Sequence, residues 1–79
     1  MNLEVLCPEK RLVECPVSLA EFPGKSGRFV VLEGHDAIVS SLSDGEIRYV
    51  QEGAGEERIH IRSGFVSVKD NSIKACVEI

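Results

Sequence analysis

The sequence predicts an all-β protein, a flattened two-sheet antiparallel β-sandwich of about nine or ten short strands. Runs rich in Val, Ile and Phe recur between turn signals at intervals of roughly 8 to 12 residues, the spacing of a sandwich or barrel. Within the runs, apolar and polar residues alternate, so each strand buries one side. The turn signals leave almost no room for a helix. The 79 residues are read as a single domain, 1–79, because two cores at this length could not each bury enough apolar surface.

The first strand groups Leu3, Val5 and Cys7 on one face and should end at Pro8, which cannot donate to a ladder. Residues 12–15 and 17–22 read as two short strands split by Pro16, and Pro23-Gly24-Lys25-Ser26-Gly27 reads as a turn. A strand over 29–32 follows, then the Gly34-His35-Asp36 break. Residues 37–42 resume with Ile38, Ser40 and Leu42 on one face, and Asp44-Gly45 is a hairpin signal leading to Ile47 and Tyr49. The segment 51–57 carries two glycines and three glutamates but no large apolar residue, which suits an exposed hairpin loop. Ile59 and Ile61 then alternate with Arg58, His60 and Arg62 in a half-solvated strand. Ser63-Gly64 turns, 65–69 returns and Asp70-Asn71 turns again. The last strand is the clearest, with Ile73, Ala75, Val77 and Ile79 on one face and Lys74, Cys76 and Glu78 on the other.

An apolar content of 43% and a charged content of 28% are those of a chain that folds. A core this small is marginal for a free monomer, so a permanent partner would add stability. The net charge of −4 supplies little of the Lys/Arg surface on which nucleic-acid affinity depends, which argues against such a ligand. Apolar stretches such as Phe29-Val30-Val31-Leu32 fall far below the ~20 residues a bilayer span needs. Glu4, Pro8, Glu9, Lys10 and Arg11 interrupt any signal-peptide core, so an intracellular location is expected.

Sites for catalysis are missing from the pattern. Cys7, Cys15 and Cys76 form an odd set without a C-x-x-C pair and read as reduced, mostly structural thiols. His35, Asp36 and His60 match no metal-ligand spacing and read as surface or hydrogen-bonded groups. Gly24-Lys25-Ser26-Gly27 lacks the upstream glycine and the helix of a phosphate loop. No enzyme, cofactor or metal is expected, and function is expected to rest on loops held by a rigid body.

The arrangement of turns carries a resemblance. The opening Leu3-Glu4-Val5-Leu6-Cys7-Pro8-Glu9-Lys10, the block from Gly27 through Gly34-His35-Asp36 to Leu42, Gly45-Glu46-Ile47-Arg48, Ser63-Gly64-Phe65-Val66-Ser67-Val68 and Ile73-Lys74-Ala75-Cys76-Val77-Glu78 resemble the N-terminal β-sandwich domain of the delta/epsilon family of F-type ATP synthase subunits. The Gly-His pair falls in register with that family's Pro-Gly-His-Ala-Pro element; Glu33 stands for the first proline and Asp36-Ala37 for Ala-Pro. Val30 replaces a glycine, and Phe65 replaces the second glycine of a Gly-Gly pair.

The resemblance implies a non-catalytic central-stalk subunit that links the gamma subunit to the c-ring and contributes to coupling ion flow, of protons or sodium, with ATP synthesis. It implies a peripheral place at the cytoplasmic face of the bacterial inner membrane, without direct membrane insertion, and a domain that is monomeric or weakly self-associating when isolated. By position in the matched block, Arg28, Glu33, Gly34, His35 and Asp36 are the expected c-ring contact. A mixed-charge loop suits the Arg, Gln and Asp groups of c-subunit polar loops. Cys7, Ser40 and Ser63 are the expected gamma contact, small residues at family contact positions that permit close approach. Typical members continue into a two-helix hairpin that restrains ATP hydrolysis and in some binds ATP; this sequence stops at Ile79 and neither role carries over. The alternative reading is a free-standing β-sandwich adaptor.

Overall fold

A computed structural model describes every residue from Met1 to Ile79. Eight strands follow one another: β1 (Asn2–Cys7), β2 (Lys10–Gly24), β3 (Gly27–Leu32), β4 (Ile38–Leu42), β5 (Gly45–Gln51), β6 (Gly55–Ile61), β7 (Ser63–Lys69) and β8 (Ser72–Glu78). They stack as two layers in a body of 27 × 24 × 18 Å. One layer runs β1-β8-β7-β4 and the other β3-β2-β5-β6, with the first half of β2 added beside β1. The count of eight lies close to the sequence expectation, and the difference comes from β2.

β2 is one strand of 15 residues, not two. Its first half pairs with β1 as far as Asn2↔Pro16, and from Val17 onward it pairs with β5, with a bulge between Val17 and Leu19. Pro16 therefore sits where the strand leaves one layer for the other. Val17 N–H donates to the Met1 carbonyl oxygen (2.8 Å), so Asn2↔Pro16 is a pair that exchanges no bonds of its own. The proline interrupts no ladder bond to β1 and marks a change of partner instead of an end.

Three other expectations are corrected. Asp44-Gly45 does not close a hairpin: β4 pairs with β7, β5 pairs with β2 and β6, and the connection crosses between layers. Gly45 is needed there for close approach, since a methyl group on it would come within 2.9 Å of Pro23 Cβ. The sheets are also not wholly antiparallel, because β1 runs parallel to β8 from Asn2↔Ser72 to Leu6↔Cys76. The expected loop over 51–57 tightens to a turn at Glu52-Gly53-Ala54, and Glu56 and Glu57 lie within β6.

The alternating residues meet between the layers. Leu3 and Val5 from β1, Phe22 from β2, Leu42 from β4, Ile47 from β5, Ile61 from β6, Val66 from β7 and Ile73 and Ala75 from β8 are fully buried there. No buried polar side chain is left without a partner. Phe22 stacks on Phe29 at a centroid separation of 5.6 Å, which ties β3 to the core. Truncating a buried aromatic such as Phe22 to alanine costs about 3–5 kcal/mol.

Candidate functional site

The corner between β3 and β4 projects from one end of the sandwich. His35 N–H donates to the Leu32 carbonyl oxygen (3.0 Å), closing a four-residue turn whose third residue, Gly34, has φ +84°. A methyl on Gly34 would meet nothing within 4 Å, so glycine is required here by backbone conformation and not by space. Gly34 N–H points out of the turn to the side-chain oxygen of Asn71, 2.8 Å away in the β7–β8 turn. His35 Nδ1 donates to the Asp36 carbonyl oxygen (2.7 Å). In the neutral ring that bond leaves Nε2 as an acceptor. Glu33, Gly34 and Asp36 are exposed and His35 is half-buried, so the corner presents carboxylates and an imidazole on a hydrogen-bonded support.

Arg28 is not part of this corner. It lies at the opposite end of β3, paired with Pro23, and faces outward on the second layer. There it joins an ion-pair circuit that the sequence pattern did not reveal. Arg28 Nε bonds Glu21 (3.1 Å), Glu21 bonds Arg48 (2.8 Å), Arg48 bonds Glu56 (3.2 Å), Glu56 bonds Arg58 (3.1 Å) and Arg58 bonds Glu46 (3.2 Å). A bond from Arg28 to the Glu46 carbonyl oxygen (2.9 Å) closes the ring. The Arg48 guanidinium, followed by that of Arg28, holds the Glu21 carboxyl below its usual value. The signal was present as alternating Glu and Arg on neighbouring strands, but only strand register joins them.

The first layer carries a different surface. A groove of about 560 Å³ opens at one end of this layer, where the outward-facing Leu6, Ser41, Ser63, Phe65 and Cys76 meet Cys7 and the buried Leu42 and Val77. The register explains its apolar row: Leu6, Cys76 and Phe65 are cross-strand neighbours on β1, β8 and β7 and share one face, with Ser41 of β4 next in the row. Phe65 is 55% exposed despite its size. Gly64 lies against the β8 backbone, because a methyl there would collide with the Cys76 carbonyl oxygen and reach 3.0 Å from Val77 Cα.

Two of the three small residues singled out from the sequence, Cys7 and Ser63, converge on this groove. Ser40 does not: it is the register partner of Val66, on the inward-facing side of β4, and its neighbour Ser41 takes the place at the rim. Nothing in the sequence marks Leu6, Phe65 and Cys76 as contact residues, because only strand register sets them side by side. Cys15 is half-buried elsewhere, and burial pushes its thiol up, which lowers its reactivity. His60 pairs with Asp44 (3.2 Å) on the surface, apart from the His35 corner.

Known proteins share this architecture. The family model described as the ATP synthase delta/epsilon chain β-sandwich domain matches residues 1–79. An ATP synthase epsilon chain of Magnetococcus marinus is 35% identical over 80 residues, covering 99% of this chain and 56% of the relative. One from Parvibaculum lavamentivorans is 31% identical over 78 residues, covering 99% and 59%. This chain thus spans little more than half the length of those relatives. Among solved structures, a chain of the Euglena gracilis mitochondrial ATP synthase, in an assembly of OSCP, F1 and c-ring, superposes with TM-score 0.87 at 25% identity, covering 95% of this chain and 48% of that one. A chain of the Tetrahymena thermophila mitochondrial ATP synthase central stalk and c-ring has the same fold, with TM-score 0.79 at 17% identity and coverage of 99% and 63%. With its whole length matched by the family and its two layers superposed on such chains, the protein belongs to the ATP synthase delta/epsilon chain β-sandwich domain family.

Proposed function

We propose that this domain works as a non-catalytic part of the central stalk of an F-type ATP synthase, joining the gamma subunit to the c-ring so that ion flow is coupled to ATP synthesis. The observation that carries this reading is the match of the family over the full 1–79 span. The relatives are named as epsilon chains, and the Euglena neighbour comes from an assembly that contains the c-ring.

The geometry supplies two surfaces suited to two neighbours. The groove holding Cys7 and Ser63, with Leu6, Phe65 and Cys76, is the proposed seat for gamma, since an apolar, concave patch gains most from a permanent partner. The corner of Glu33, Gly34, His35 and Asp36 is the proposed c-ring contact, where polar groups can set register and specificity. Arg28 is engaged in the ion-pair circuit at the other end of β3 and is left out of the proposed contact. A peripheral position at the cytoplasmic face of a bacterial inner membrane goes with the same reading.

Co-purification tests it. The tagged domain should retain the gamma subunit encoded by the same genome through gel filtration. A domain that leaves gamma behind while capturing unrelated proteins would favour the free-standing adaptor. The c-ring placement has its own test: His35→Ala should loosen coupling between ion flow and ATP synthesis in membrane vesicles without lowering the melting temperature. Unchanged coupling would remove the corner from the contact.

A further inference from the structure

The β7–β8 turn contains a residue choice that the turn itself does not require. Asp70 and Asn71 both have positive φ, 52° and 61°, and join Lys69 to Ser72 as a two-residue hairpin turn with both central residues left-handed. Glycine is the favoured second residue of such a turn, because it meets no steric cost there. Asn71 accepts the same backbone and adds a side-chain oxygen. That oxygen receives the Gly34 N–H at 2.8 Å, across 37 residues of chain, while the Asn71 carbonyl oxygen receives the Asn2 N–H at 2.9 Å. One residue thereby ties the β3–β4 corner, the β7–β8 turn and the start of β1 together.

The Gly34 amide needs such an acceptor. Its turn is closed by the His35 N–H to Leu32 bond, which leaves the third residue's own N–H aimed outward. Without Asn71 that donor is left to water, and the corner keeps only the Leu32–His35 and His35–Asp36 bonds, both internal to itself. Nothing internal to the corner fixes its angle to the sandwich.

We infer that Asn71 is a positioning residue: it holds the Gly34-His35 corner in one orientation on the rigid body so that the corner meets its partner already ordered. The docking half of this inference rests on the reading of the corner as the c-ring contact. Pre-ordering raises affinity by removing the entropic cost of fixing a loop on binding.

Asn71→Gly and Asn71→Asp separate the side chain from the turn. Glycine keeps the left-handed backbone and loses the acceptor, whereas aspartate keeps both. By amide hydrogen exchange on the 79-residue chain, the Gly34 amide in Asn71→Gly should exchange about fivefold faster, the loss expected for one net hydrogen bond. The Ala75 and Val66 amides should keep wild-type rates, and Asn71→Asp should match wild type throughout. Binding to a detergent-solubilised c-ring in the presence of gamma should weaken by a similar factor, about fivefold, in Asn71→Gly alone. Unchanged Gly34 exchange in Asn71→Gly, or an equal loss in Asn71→Asp, overturns the clamp. Faster exchange with unchanged binding, while His35→Ala still weakens binding, overturns the positioning role and leaves the c-ring contact standing. If His35→Ala also binds normally, the contact itself falls and the docking role falls with it, while the exchange data still report whether the clamp exists.

Discussion

Glu33 occupies the second position of the turn closed by His35 N–H to the Leu32 carbonyl oxygen, with Gly34 at φ +84° in the third. That second position is the one where proline is most at home, because its ring already holds the φ the turn needs. Glu33 lies just beyond β3, outside the ladder, and its side chain is exposed. Glu33→Pro should therefore stabilise the domain by about 0.4–1 kcal/mol, by narrowing the unfolded ensemble while leaving the folded corner in place. Urea denaturation of the isolated domain measures it, and a destabilised variant would mean that the turn differs from the one inferred. Gly64 is the opposite case. Its partner atoms are β8 backbone, which cannot swing aside as a side-chain end can, so Gly64→Ala should cost about 1–3 kcal/mol by forcing β7 and β8 apart. A variant as stable as wild type would show that the two strands have slack between them.

At the scale of strands, what could be read along the chain was what depends on near neighbours. Alternation placed Leu3 with Val5 and Ile73 with Ala75 and Val77, and all five are buried. Pro8 ends β1, and Asp70-Asn71 turns β7 into β8. Features that depend on which distant strand lies alongside were hidden. Pro16 looked like a break and is a change of partner; Asp44-Gly45 looked like a hairpin and is a crossing between layers. The groove row Leu6, Cys76 and Phe65 and the circuit from Arg28 to Glu46 exist only once register is known. The circuit also yields a pH prediction. The Glu21 carboxyl is lowered in the folded state, first by Arg48 and then by Arg28, so its stabilising contribution is present above the ordinary carboxylate value of about 4.3. That contribution is lost as pH falls through the lowered folded value. The gap in melting temperature between wild type and Glu21→Gln should accordingly be widest near neutrality and narrow in acid. It should also shrink in high salt, because the participating side chains are partly exposed. A gap that stays constant across both titrations would assign the Glu21 effect to packing.

For the molecule as a whole, the two outer faces differ in what a partner would gain from covering them. The β3-β2-β5-β6 face is crossed by a ring of three arginines and three glutamates that satisfy one another, so burying it would cost desolvation with few new bonds to offset it. On the β1-β8-β7-β4 face, the groove around Phe65 leaves apolar surface in water, and its removal is favourable by roughly 25 cal/mol per Å². A small domain bound permanently to a larger subunit should use the second face. Phe65→Asp places a charge in the middle of the row, and since Phe65 is 55% exposed its loss should leave the fold within about 0.5–1 kcal/mol of wild type. On the proposed stalk role, retention of gamma should nevertheless drop at least tenfold, because a buried unpaired carboxylate is costly at an interface. Arg58→Ser, on the circuit face, is the matched control and should retain gamma normally. If Arg58→Ser releases gamma and Phe65→Asp holds it, the assignment of faces is reversed, and an ionic surface rather than the apolar groove carries the permanent contact.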